Sequence, residues 1–175
     1  MTAVVRALGE LRPRIGRGVF LAETCAVIGD VELGDEASVW YSAVVRGDVM
    51  PIRVGARTNL QDGAIVHATY QRFATAIGND CTIGHGAIIH ACTIEDRCLI
   101  GMGAILLNGA HVGTESIVAA GTLVVEEMKV PPRSLVMGSP GKVKRPLTDA
   151  EVESIQGYAD RYVGYRLDYM GRPGG

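Results

Sequence analysis

A branched apolar residue returns at every sixth position over most of this chain, and few folds can satisfy that constraint. The series runs Val27, Leu33, Val39, Val45, then Val54, Leu60, Val66, then Ile77, Ile83, Ile89; after a one-residue contraction it resumes at Ile94, Ile100, Leu106, Val112 and Val118. Four positions after most of these stands a small residue: Ala37, Ala43, Thr58, Ala64, Cys81, Ala87, Thr93, Cys98, Ala104, Ala110, Ser116 and Thr122. Glycine follows directly at Gly34, Gly55, Gly78, Gly84, Gly101 and Gly113. A period of six does not keep one face of a 3.6-residue helix, and a sandwich would bring turn clusters every ~8–12 residues. One large and one small inward residue per unit describe a short strand and a tight corner, three of which close a triangular coil. Such coils stack with backbones ~4.8 Å apart. Aromatic residues are only 5% of the chain, so the core of this all-β fold is filled by Val, Ile, Leu and Ala.

These repeats occupy about residues 19–125 and predict a parallel β-helix over 1–130. Two interruptions, Met50 to Arg53 and Ala68 to Ala76 (ATYQRFATA), are expected to protrude at corners without disturbing the stack. The Pro- and Gly-rich stretch 131–147 is expected to cover the open end, as exposed edge strands require. A C-terminal α-helix and tail are expected over 148–175. Thr148 and Glu151 make a T-x-x-E capping box, with Leu147 and Val152 spaced as a hydrophobic staple. Val152, Ile155, Ala159, Tyr162 and Tyr169 mark one side of that helix as the face that packs against the β-helix or a neighbouring subunit.

A formal charge of −2 offers no basic field for nucleic acid or an anionic membrane surface. No apolar run approaches the ~18 residues of a membrane span. The four cysteines, Cys25, Cys81, Cys92 and Cys98, form no C-x-x-C pair, and the N-terminus lacks the apolar segment of a secretory signal. A cytoplasmic protein with inert thiols and a small neutral or anionic ligand is expected.

The repeat resembles that of the hexapeptide-repeat proteins, which implies a left-handed parallel β-helix. Naming the faces a, b and c in chain order puts Val54, Leu60 and Val66 in one coil and Ile77, Ile83 and Ile89 in the next. His67 and His90 then follow the inward residue of face c in consecutive coils, stacked at about one strand spacing. Imidazoles so placed can converge on one ion at ~2.0–2.1 Å. His85 lies on face b, near a corner, up to about 15 Å of extended backbone away, so one subunit does not easily unite all three. A threefold oligomer would, with face b of one subunit meeting face c of the next. Arg46 lies one coil below His67 and Asp62 below His85, with Gln61 and Asp48 adjacent; Arg46 is expected to pair with Asp62 across that interface. Met102 and Leu107 form the apolar ceiling. His111 is assigned to the surface.

Arg46-Gly47-Asp48, Asn59-Leu60-Gln61-Asp62 and the spacing of His67, His85 and His90 resemble the γ-class carbonic anhydrases. That resemblance implies a homotrimer with a metal at each interface, bound by His67 and His90 of one chain and His85 of its neighbour. Zn²⁺ is the expected ion, with Fe²⁺ or Co²⁺ as alternatives. Three imidazoles and an open fourth position acidify a bound water to a pKa of ~7, making hydroxide available to convert CO₂ to bicarbonate. Gln61 and Asn59 are candidate catalytic residues, Gln61 as the amide that orients CO₂ or hydroxide. Tyr162, within YADRYVGY, which is similar to the family's terminal segment, is a further candidate. Arg46, Asp48 and Asp62 are read as scaffold of the site. The chain departs from the family pattern where members carry loop glutamates: Val49 follows Asp48, and ATYQRFATA has no acid, so the expected proton acceptor is missing. Two alternatives stay open. One is an acyl-coenzyme A-dependent acyltransferase, whose terminal segments MGSPGKVKR also resembles; the other is a metal-binding scaffold of this class with little or no anhydrase activity.

Overall fold

The computed structural model describes residues 2–171. It is a left-handed parallel β-helix of about seven coils with one C-terminal helix. The predicted columns are continuous ladders of paired residues. Face a stacks Ile15, Leu33, Val54, Ile77, Ile94, Val112 and Val130. Face b stacks Leu21, Val39, Leu60, Ile83, Ile100, Val118 and Val136. Face c stacks Val5, Val27, Val45, Val66, Ile89, Leu106 and Val124. From Val27 to Val136 every member is at most 4% exposed, so the period-six residues are the core.

The coils extend beyond the stretch in which the repeat is legible. Val4–Arg6 and Arg14–Ile15 pair with Ala26–Leu33 at the N-terminal end. At the other end, Ser134–Gly138 continues face b and turns back into Gly141–Pro146 as an antiparallel hairpin. The stretch expected only as a cover thus includes a core residue, Val136. One small residue is also reassigned. At the contraction the inward position is Cys92, 2% exposed, and Thr93 is half-exposed, because the small residue lies two before the next branched one and the contraction preserves that spacing.

Met50 to Arg53 does not interrupt the strand. Val44–Val54 is unbroken, and the surplus residues form a bulge in which the partner of its neighbour jumps from Gly47, opposite Gly29, to Ile52, opposite Val31. Bulges re-aim side chains, and this one starts at Asp48. It requires glycine on both strands: a Cβ on Gly29 would lie 2.3 Å from the Gly47 carbonyl oxygen, and one on Gly47 would lie 2.4 Å from that of Asp30. The second interruption does form a corner loop, closed by a bridge between Thr69 and Phe73.

The corners explain where the helix sits. Between faces b and c the left-handed residues are Ser42, Gly63, Gly86, Gly103 and Gly121. Between a and b they are Gly18, Glu36, Arg57, Asp80, Arg97, Glu115 and Arg133, with φ of 52–64°. A non-glycine residue there costs about 1–2 kcal/mol, and the offset is visible: the charges alternate in sign and hold the helix Asp149–Tyr169. Asp149 pairs with Arg133, Asp160 with Arg57 and Arg166 with Glu36, while Gln156 Nε2 donates to Asp80 Oδ1 at 3.1 Å. Five coil steps from Arg133 to Glu36 span about 24 Å, and the helix from Asp149 to Arg166 spans about 25 Å; the two lattices match.

The helix begins with the predicted capping box, Thr148 and Glu151 bonding each other's backbone N–H. Val152 and Ile155 pack with Leu147 on Leu99, Ile117 and Leu135 of face b. Face b is therefore covered by its own chain. The corner that carries His85 stays exposed beside the helix.

Candidate metal centre

His67 and His90 are paired residues on adjacent strands, Ile65–His67 and Ile88–His90. Their ring centroids are 5.3 Å apart, and His67 Nδ1 lies 3.3 Å from His90 Nε2. The other nitrogen of each ring is committed. His67 Nε2 lies 2.9 Å from Asp48 Oδ1, and a carboxylate only accepts, so the proton of neutral His67 sits on Nε2. His90 Nδ1 lies 2.7 Å from Asn108 Oδ1. Asn108 is oriented by Nδ2 donating to Glu126 Oε1 at 3.2 Å, and by Thr69 Oγ1 donating to Oδ1 at 3.0 Å, so the proton of His90 sits on Nδ1. Two imidazole lone pairs therefore face each other, an arrangement that repels unless a cation lies between them. Tetrahedral ligands at ~2.05 Å from an ion are ~3.3 Å apart, the separation these atoms have. The residues fit a metal.

The bulge places Asp48. Its carboxyl is raised by burial, but hydrogen bonds from His67 and Arg46 outweigh this and hold it below the usual carboxylate range. Arg46 pairs with this carboxylate, and Asp62 Oδ2 lies 2.8 Å from His85 Nδ1. Within the single chain, each therefore has a partner. His85 resembles the other two histidines in having one nitrogen, Nδ1, close to an oxygen acceptor. Among the described residues no set of three His, Cys, Asp or Glu side chains converges within the single chain. Two imidazoles meet, and the third stands at the open corner between faces b and c.

Beside His85 is a cavity of about 290 Å³ whose lining includes Gln61, Met102, Tyr158 and Tyr162. Gln61 is 5% exposed and donates through Nε2 to Asn59 Oδ1 at 3.2 Å. One amide hydrogen and the carbonyl oxygen of Gln61 remain for a ligand. Asn59 is 1% exposed, its amide nitrogen donating to Thr82 Oγ1 and the Cys81 carbonyl. It does not open to the cavity, so its influence passes through Gln61. Tyr162 reaches the cavity, and burial, followed by the charge of Asp62, raises its phenol above the ordinary range. Tyr158, one helical turn earlier, was not anticipated, although the i, i+4 spacing was available. Asn108 and Thr69 were likewise missed; Asn108 lies one residue beyond Leu107, the column above His90.

His111 lies away from this site, Nε2 2.8 Å from Glu95 Oε1. The four cysteines are free and buried; burial pushes the Cys25 thiol up to about 11 and that of Cys92 to about 12. No helix among the described residues is long and apolar enough to cross a membrane. Residues 172–175, in the expected tail, lie outside the described residues.

Residues 92–125 match the model of the hexapeptide repeat of succinyl-transferase. The chain is 48% identical over 149 residues to a probable carbonic anhydrase of Methanocaldococcus jannaschii, covering 85% of this chain and 93% of that protein. It is 42% identical over 156 residues to the mitochondrial gamma carbonic anhydrase 2 of Arabidopsis thaliana, covering 86% of this chain but 56% of the plant protein. A crystal structure from Bacillus cereus described as a putative acetyltransferase superposes with a TM-score of 0.94 at 37% identity, covering 97% of this chain and 98% of that one.

Proposed function

Because the chain belongs to the γ-class carbonic anhydrase family, we propose that it is a metal-dependent carbonic anhydrase, a lyase that interconverts CO₂ and bicarbonate at sites shared between the subunits of a homotrimer. One observation carries this reading: His67 and His90 each have one nitrogen hydrogen-bonded to an acceptor, Asp48 or Asn108, and turn the other toward a shared position where the two lie 3.3 Å apart, while His85 Nδ1 lies 2.8 Å from Asp62 Oδ2. Such partners fix the tautomer and aim of metal-bound histidines. An acyltransferase needs a single basic histidine and leaves the facing pair of His67 and His90 unexplained.

His67 and His90 would hold the ion from one chain and His85 from its neighbour. When bound, Zn²⁺ supplies the acidified water that hydrates CO₂ at neutral pH. The rest is done by the chain. The bulged strand and Asn108 pre-set both lone pairs of one subunit, which lowers the reorganisation needed on binding. Gln61, held by Asn59, offers one donor and one acceptor to CO₂ or bicarbonate. Met102, Tyr158 and Tyr162 give the cavity an apolar wall suited to an uncharged triatomic substrate.

Stopped-flow CO₂ hydration by zinc-reconstituted protein, with His67→Ala as control, tests the proposal. Hydration that is lost in the control and on chelation is expected. A rate no higher than the control at stoichiometric metal would refute the anhydrase, and acyl transfer from coenzyme A that survives chelation would replace it.

A further inference from the structure

The chain has only two Phe, six Tyr and one Trp, yet Trp40, Tyr41, Tyr162, Tyr165 and Tyr169 surround one cavity of about 310 Å³, completed by Asp62. It opens where the C-terminal half of the helix crosses the corner between faces b and c. The rings are not stacked flat. Trp40 meets Tyr162 at 5.2 Å and 88°, and Tyr169 at 5.1 Å and 82°, while Tyr162 meets Tyr165 at 5.5 Å and 74°. The rings pack edge to face on one another, with Trp40 also against Phe20 at 5.0 Å and only 5% exposed, so Trp40 forms the floor of the cavity and the tyrosines its rim.

The chemistry of the lining selects the charge of an occupant. Among the described residues, no Lys, Arg or His borders this cavity. Asp62 engages His85 through Oδ2 at 2.8 Å, which leaves Oδ1 available. Glu23 lies beside the Tyr41 hydroxyl, and desolvation, followed by the hydrogen bond to Glu23 and its charge, raises that phenol. Ring faces are negative, and a carboxylate next to them makes the cavity a poor home for an anion and a specific one for a desolvated cation.

We propose that this cavity is a binding site for a small quaternary ammonium compound, its onium group resting over Trp40 between the tyrosines of the rim and its charge balanced by Asp62. A metal ion is disfavoured, since Asp62 is the one carboxylate among the described lining residues, and a purely apolar ligand would gain nothing from its charge. The proposal requires neither metal nor CO₂ and stands apart from the anhydrase reading, although Asp62 and Tyr162 border both sites.

Trp40 is the sole tryptophan, so its fluorescence reports the cavity directly. Choline would be titrated into the full chain, alongside 3,3-dimethyl-1-butanol, in which carbon replaces the charged nitrogen. A saturable response to choline is expected, with the neutral analogue weaker by at least about tenfold. Tyr165→Ala should weaken choline several-fold, and Asp62→Asn should weaken choline while leaving the neutral analogue unchanged. Equal affinity for the two ligands, or no saturable response to choline, would overturn the proposal. The wild-type pair of titrations decides even if a variant fails to fold.

Discussion

Replacing Asn108 by Leu is the sharpest probe of how the histidine pair is prepared. The change keeps the side-chain volume near constant but removes the acceptor 2.7 Å from His90 Nδ1. It also removes the partner of Glu126 and Thr69. One net hydrogen bond is worth about 1 kcal/mol, roughly fivefold in affinity. His90 would in addition be free to place its proton on Nε2, the nitrogen that faces His67, and to rotate. Loss of such an orienting partner costs about 10–100-fold in metal affinity, or about 1.4–2.7 kcal/mol. Zn²⁺ or Co²⁺ affinity measured by competition with a chromophoric chelator should fall by that factor, and Asn108→Asp, which keeps an acceptor, should restore most of it. An Asn108→Leu protein with an unchanged melting temperature and an affinity within about twofold of wild type would refute the argument that Asn108 sets the tautomer.

Further outcomes follow from other parts of the molecule. His85→Ala and His67→Ala should each abolish metal binding, and equal mixing of the two chains should restore about one quarter of the sites, the fraction of interfaces that join undamaged halves in a cyclic oligomer; no recovery after confirmed subunit exchange would exclude a shared site. Gly101→Ala should lower the melting temperature by at least about 3 °C, because overpacking costs about 1–3 kcal/mol and the added Cβ would lie 2.4 Å from the Ala120 backbone nitrogen. Hydrogen bonds from Arg145 and from the Thr148 backbone hold the Glu151 carboxyl down at about 2. A depressed carboxylate stabilises above its unfolded-state value and loses that contribution as the pH falls through the folded one. The difference in melting temperature between wild type and Glu151→Gln should therefore be present at neutral pH and shrink below about pH 4.5; a difference constant down to about pH 2 would refute the cap.

What the sequence by itself determined is what repeats. A strand alternates its side chains with period two and a triangular coil closes after three strands, so the columns of Val, Leu and Ile, the stacking of His67 on His90 and the placing of Asp62 beneath His85 could be counted along the chain. The capping box was legible for the same reason, since all its partners lie within one helical turn. Counting failed where the repeat slips. The strand through Met50 to Arg53 stays paired because Gly29 and Gly47 let two backbones meet, and the bulge swings Asp48 onto His67. Cys92 replaces Thr93 because the contraction keeps the spacing to the following residue. Other features depend on groups that meet only across coils. The apolar side of the helix did not specify which face it covers; the alternating charges of Glu36, Arg57, Asp80 and Arg133 did, once the corners had lined them up. Asn108 reaches His90, and Tyr158 reaches the cavity beside His85, by side-chain geometry that no period encodes. Tertiary structure decided these because a hydrogen bond is set by distances of a few tenths of an ångström, whereas a repeat specifies only which coil and which face a residue occupies.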